Sequence, residues 1–300
     1  MRILLALDGS AGAETARSLF DHLAWPVPST VDVVRVIEPV WPTLAMPELS
    51  VGGPMEGLMA TDDIRREMEA AASGMTRPGL EVVPHVIVGR PATVITGTAA
   101  RVGSGLIVMG SRGRGTIATM VLGSVSAEVG HDAPCPVLVA RRPTVGHVMV
   151  ALDGTPSSER VVDAMVEASW LQGSSIDVVS VAVSTVPGPG VMFADAYGGS
   201  LAWYEDAVVT ARSASEDCVR ASAERLVAAG LDATWRLLEG APAATIVETA
   251  ANDGTDLIVV GTHARSGLKG MVLGSVARNI LVHTKASVMV VHQLPAVTHA

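Results

Sequence analysis

The chain has 300 residues, of which 49% are hydrophobic, 17% charged and only 3% aromatic, which is apolar enough for well-filled cores and too weakly charged for a disordered protein. Its formal net charge of −9 argues against general nucleic-acid binding, which needs Lys and Arg to neutralise phosphates. The opening run Ile3–Leu7 stops at Asp8, and no later apolar stretch reaches the length of a membrane span, so a cytoplasmic protein with no nucleic-acid and no membrane partner is expected.

In chain order, short apolar runs at Ile3–Leu7, Val31–Ile37, Glu81–Val88, Leu106–Met109 and Val137–Ala140 read as strands. Between them Ala11–Trp25, Asp62–Thr76, Ala92–Val102 and Thr119–Gly130 read as helices. Val-rich runs without polar alternation suit parallel strands buried on both faces, and the βα alternation calls for a sheet flanked by helices. Past the polar linker Arg141-Arg142-Pro143-Thr144 the pattern starts again. Ala6-Leu7-Asp8-Gly9 recurs as Ala151-Leu152-Asp153-Gly154, and Asp32-Val33-Val34 as Asp177-Val178-Val179, both at an offset of 145. Gly89-Arg90-Pro91-Ala92 then matches Gly240-Ala241-Pro242-Ala243, Leu106–Gly110 matches Leu257–Gly261, and Met120–Val125 recurs unchanged as Met271–Val276, all at an offset of 151. The six extra residues fall between the second and third strands of the second copy, where Val186-Pro187-Gly188-Pro189-Gly190 reads as a loop. The chain is therefore two copies of one domain, 1–143 and 144–300.

Ligands of a doubly wound sheet bind at the carboxyl ends of its strands, which puts Asp8, after strand 1, and Gly110, after strand 4, on the binding edge. Strand 4 runs into Gly110-Ser111-Arg112-Gly113-Arg114-Gly115, and nine residues separate Gly113 from Gly123-Ser124. Glycines permit positive φ and let backbone N–H groups approach a phosphate. The helix N-terminus that follows adds donors and a favourable dipole, Ser124 adds a hydroxyl, and Arg112 and Arg114 add positive charge. Neither a Walker A loop nor the dinucleotide fingerprint after strand 1 is present. Taken alone, the loop could be a tight turn with a serine cap, Asp8 and Asp153 helix caps, and Arg112, Arg114 and His263 solvated charges. The eight histidines show no metal-ligand spacing. Cys135 and Cys218 form no CxxC motif and fit a reducing compartment, with Cys135 a buried structural thiol. The run Asp62–Glu67 reads as a solvated helix face, and Trp203 and Tyr204 as core or interface residues.

The Gly-x2-Gly-x9-Gly-Ser loop, the strand-1 Asp, the Gly-x-Pro-Ala element and the closing apolar strand after a proline resemble the universal stress protein family, over nearly the whole chain and twice. The resemblance implies an α/β fold of two tandem doubly wound, mostly parallel five-stranded sheets flanked by helices, like that of the adenine nucleotide alpha hydrolases. It implies membership of the ATP-binding subgroup. In copy one, Ala6, Leu7 and Asp8 would contact adenine and ribose, and Val36 would meet adenine through its backbone. Met109, Gly110, Gly113, Gly123, Ser124 and Val125 would line the ribose-phosphate site beside Arg112. In copy two the matching residues are Ala151, Leu152, Asp153, Val181, Val260, Gly261, Gly274, Ser275 and Val276. Ala264 stands where copy one has Gly113, so the second site is expected to be weaker, with Arg265 and Ser266 still flanking it. ATP or ADP is the expected ligand, with any Mg²⁺ carried by its phosphates. Pairing of the two copies through Pro136–Ala140 and Ser287–Val291, and a homodimer, are also expected.

Three functions follow from this reading. One is a nucleotide-dependent stress or regulatory binding module, with weak hydrolysis at most since no general base is evident. The second is a hydrolase cleaving ATP between its α- and β-phosphates, against which Leu7-Asp8-Gly9-Ser10-Ala11 lacks the expected SGGxDS. The third is an interaction protein without a physiological nucleotide.

Overall fold

A computed structural model of the chain describes residues 1–39, 54–113, 122–182, 201–262 and 273–292; the side chains of 54–61 and 201–205 are not among those described. Arg114, His263, Ala264, Arg265, Ser266, the Val186–Gly190 loop and the side chains of Trp203 and Tyr204 lie outside the described residues. The chain divides into two compact units, Met1–Pro143 and Thr144–Ala300.

Unit one runs β1 (Arg2–Ala6), α1 (Ala11–His22), β2 (Ser29–Ile37), α2 (Pro54–Met75), β3 (Leu80–Val88), α3 (Pro91–Val102), β4 (Leu106–Gly110), α4 (Ser124–Asp132) and β5 (Val137–Ala140). Its strands lie in the order β3-β2-β1-β4-β5, every described pair parallel. Successive side chains of a strand point to opposite faces, yet Ile3, Leu4 and Leu5 of β1 and Ile107 and Val108 of β4 are all fully buried. Both faces are therefore covered, as the uninterrupted apolar runs require. The strand order reverses between β1 and β4, β2 and β3 being added on one side of β1 and β4 and β5 on the other, and this opens the crevice in which such folds bind ligands.

The helices follow local chemistry. Ser10 caps α1, its hydroxyl accepting from the Ala13 N–H at 3.1 Å, and Ala13, Ala16, Leu19 and Phe20 form its buried stripe. Such a cap stabilises a helix by about 1 kcal/mol. Phe20 stacks on Trp25 at 5.0 Å between centroids, and the Trp25 indole donates to the Phe20 carbonyl at 2.8 Å. α3 starts on Pro91 and stops at Gly103, whose φ of +71° gives a left-handed end. Among the described residues no helix is long and apolar enough to cross a membrane.

Unit two repeats the plan with β6 (His147–Ala151), α5 (Pro156–Glu167), a 3-10 turn (Ser169–Leu171), β7 (Ser175–Ala182), α6 (Leu201–Ala228), β8 (Asp232–Glu239), α7 (Pro242–Asn252), β9 (Leu257–Gly261), α8 (Ser275–His283) and β10 (Ser287–Val291). Its order is β10-β9-β6-β7-β8, again with parallel pairs.

Each unit buries one carboxylate on its second strand and sets an arginine on it. In unit one Asp32 of β2 is fully buried; its Oδ2 accepts from Arg2 Nε at 2.7 Å, and its Oδ1 accepts from Arg2 Nη2 at 3.1 Å and lies 2.7 Å from His85 Nε2. The repeat places His147 at the position of Arg2 and Arg236 at that of His85. In unit two it is Arg236, from β8, that holds Asp177, at 2.7 Å from Nε. The Arg and the His have exchanged strands between the copies, and each copy keeps a guanidinium on its buried Asp, as the cost of an unpaired buried charge demands.

Candidate functional site

At the carboxyl ends of β1, β2 and β4, unit one opens a cleft of about 470 Å³, within the usual range for a small-molecule site. β1 and the loop after it deliver Ala6, Leu7 and Asp8; β2 delivers Val36; β4 and the loop after it deliver Met109, Gly110, Arg112 and Gly113; the start of α4 delivers Gly123, Ser124 and Val125. The eleven copy-one residues that the resemblance assigned thus line one cleft, from four separated segments. The main chain locks the segments together: Leu7 N donates to Val34 O at 2.9 Å, Ser111 N to Ala140 O at 3.2 Å and Gly123 N to Ser111 O at 2.7 Å.

Sequence reasoning missed the opposite wall. Val34, Arg35 and Ile37 of β2, Glu38 just after it, Ile64 of α2, and Pro91 and Ile95 of α3 also line the cleft. These are apolar or alternating positions on other elements, and only the recurrence of Pro91 as Pro242 and of Ile95 as Ile246 hinted at them. Arg35 is buried and donates to Glu67 of α2 at 3.1 Å. The cleft therefore has an apolar wall from α3, a charged floor from β2 and a glycine-rich lip.

The lip owes its shape to missing side chains rather than to unusual φ. Neither Gly110, Gly113 nor Gly123 has positive φ, which corrects one of the two reasons expected for glycine there; in the loop after β1 Gly9 does, at +73°. A Cβ on Gly113 would lie 2.6 Å from Asp8 Oδ2, so this backbone sits directly against the Asp8 carboxylate. Asp8 Oδ1 accepts from Ser10 N at 3.0 Å. Asp8 is thus not the cap of α1, a role Ser10 takes, while the Ser10 hydroxyl also donates to Arg112 O at 3.1 Å. α4 begins at Gly123 with no side-chain cap, and Ser124 is exposed at its first turn. Helix N-termini present backbone donors and a partial positive charge. Ser126 also lines the cleft, and its hydroxyl donates to Gly110 O at 3.0 Å.

Arg112 is exposed at the cleft mouth. Beyond β5, burial and then the charge of Arg112 push the Arg141 guanidinium down to about 10, so it stays cationic at neutral pH. Among the described residues no group of His, Cys, Asp and Glu could hold a metal ion.

In unit two the matching residues also gather at the carboxyl edge. Ala151 ends β6, Leu152 N donates to Val179 O at 2.9 Å, Val181 lies near the end of β7, and Val260 and Gly261 end β9. Gly274 precedes α8, which Ser275 and Val276 open, again with no side-chain cap. Asp153 is bound differently from Asp8: its Oδ1 accepts from Thr155 N at 3.0 Å, Thr155 Oγ1 at 2.7 Å and Ser158 Oγ at 3.0 Å.

The universal stress protein family model matches residues 1–141 and again 144–292. The chain is 26% identical to the universal stress protein Rv2005c of Mycobacterium tuberculosis (strain ATCC 25618 / H37Rv), over 97% of each chain. Its fold matches the crystal structure of a universal stress protein from Archaeoglobus fulgidus DSM 4304, with a TM-score of 0.65 at 19% identity, covering 97% of this chain and 98% of that one. A half-length likeness, 27% identical over 49% of this chain and 96% of its own with a TM-score of 0.32, is a universal stress protein solved in complex with cAMP. Two matches to one domain family, which together span nearly the whole chain, make this protein a tandem member of the universal stress protein family.

Proposed function

We propose that the unit-one cleft binds ATP reversibly and that the protein acts as a nucleotide-dependent stress or regulatory binding module. The observation that carries this reading is the convergence of Asp8, Val36, the Gly110–Gly113 lip and the uncapped start of α4 on one cleft at the β1/β4 crevice. The chemistry of the lining suits the ligand. The apolar wall of Pro91, Ile95 and Ile64 gives a flat base a surface to leave water on. Asp8 provides an acceptor for ribose hydroxyls. Gly113, Gly123 and Ser124 with the α4 N-terminus provide donors for phosphates, and Arg112 the countercharge. Any Mg²⁺ rides on the phosphates, which are hard oxygen ligands. ATP shifts the protein between states only through different affinity for each.

The reading includes work in the cytoplasm, which the two free thiols Cys135 and Cys218 fit. It also includes a homodimer and pairing of the two copies through β5 and β10, whose residues are all buried. Hydrogen exchange tests the pairing: slow amides throughout both strands are expected, and fast exchange along either one refutes it.

The nucleotide reading is tested by denaturing the purified protein and resolving the released nucleotide by ion exchange, for wild type and Gly123→Ala. A methyl at 123 would sit 3.3 Å from Ser111 O, pressing the lip backbone by a few tenths of an ångström. Wild type is expected to release ATP or ADP, and the variant less. A wild type with no bound nucleotide and no binding of added ATP overturns the reading in favour of an interaction protein. Rapid AMP and pyrophosphate formation would instead favour a hydrolase.

A further inference from the structure

We infer that the chain binds one nucleotide, in unit one, and that unit two has closed the equivalent place with its own side chains, an inference that rests on the unit-one cleft being a nucleotide site. Three matched positions separate the copies. Ala13, which lines the unit-one cleft, corresponds to Ser158. The Ser158 hydroxyl accepts from Asp153 N at 3.1 Å and lies 3.0 Å from Asp153 Oδ1, to which it donates. This small ring ties the carboxylate back onto the start of α5. With Thr155 N and Thr155 Oγ1 also on it, Oδ1 meets three donors, more than its two lone pairs accept well. A ligand hydroxyl would have to displace one of these donors to reach Oδ1.

The second position is Gly12, which corresponds to Ser157. A Cβ on Gly12 would collide with Arg112 O, so unit one brings α1 against the bare backbone of its lip. In unit two the Ser157 hydroxyl stands in that place and donates to Thr262 O at 2.8 Å, a buried bond. The third is Gly113, which the repeat replaces by Ala264. In unit one a methyl there would lie 2.6 Å from Asp8 Oδ2, so an alanine would push the carboxylate out of the place that glycine leaves it. Thus the residue that would crowd the Asp and the residues that draw the Asp away occur together in the same copy.

Isothermal titration of ATP into the full-length chain tests this, alongside Gly113→Ala and the near-isosteric Asp8→Asn, with circular dichroism confirming that each variant is folded. Wild type is expected to bind one ATP per chain. Each variant is expected to lose affinity by about 10- to 100-fold, the scale for a hydrogen bond to a charged group, with no second site of wild-type strength remaining. Two sites per chain would overturn this inference and leave the proposed function standing. One site of undiminished strength in both folded variants would place the nucleotide in unit two and overturn it as well. No binding by wild type would remove both readings.

Discussion

Gly110 ends β4 where α1 begins, and a single methyl there should cost the domain both stability and its cleft. A Cβ at 110 would lie 2.5 Å from Gly12 O and 2.9 Å from Ala13 N, and nearer still to the Gly12 carbonyl carbon. All three are backbone atoms, so no rotamer change relieves the overlap. The start of α1 would have to retreat by about 1 Å to reach ordinary separations of about 3.5 Å. Yet α1 is held down by Ala13, Ala16, Leu19 and Phe20, all buried. Overpacking of this kind costs about 1–3 kcal/mol, and the rigid contact places it near the top of that range. In a unit of this size about 3 kcal/mol lowers Tm by roughly 6–12 °C. Because Asp8 and Ser10 sit at the displaced end, ATP affinity should fall with it. Gly97→Ala is the control: it lies inside α3 with nothing within 4 Å of a built Cβ, so it should gain up to about 1 kcal/mol of helix propensity. Calorimetric melts of both variants check the argument. A Gly110→Ala protein melting within about 1 °C of wild type, or a Gly97→Ala protein destabilised as much as Gly110→Ala, would refute the reasoning from close approach.

Two further outcomes follow from buried titratable groups. Burial works to raise the Asp32 carboxyl, but its hydrogen bonds to Arg2 and His85 outweigh this and hold it below the usual carboxylate range. A lowered carboxylate stabilises the folded state above its unfolded value, about 3.9, and that contribution is lost as pH falls through the lower folded value. Asp32→Asn should therefore be less stable than wild type by about 2 kcal/mol at pH 7. The gap should narrow progressively below about pH 4, read from urea unfolding at several pH values; a gap that stays constant into strong acid would show that Asp32 contributes by shape alone. Burial also pushes the Cys135 thiol up to about 12, so in a Cys218→Ser background the native protein should give no fast reaction with a thiol reagent at pH 8 and one full equivalent once unfolded. Fast labelling of the native form would contradict the burial.

The linear chain determined a good deal. The repeat, the parallel α/β order within each copy and the placing of Asp8 and Gly110 on one edge are all consequences of periodicity and of strands that must be buried on both faces. Ala6, Asp8 and Gly123 could be named because recurrence at fixed offsets marks positions under the same local constraint. Local pattern placed element ends less well: α1 stops at His22 rather than Trp25, and β1 at Ala6, leaving Leu7 and Asp8 in the loop. Only the tertiary structure decided what the glycines are for. Their role depends on segments from different elements meeting at less than a side chain's width, as Gly110 does with the Gly12 backbone and Gly113 with the Asp8 carboxylate. The same holds for the far wall of Ile64, Pro91 and Ile95, and for the arginine that reaches the buried Asp from β1 in one copy and from β8 in the other. Each of these is a contact between residues far apart in the chain, and a sequence pattern records spacing along the chain, not which side chains the folded sheet brings face to face.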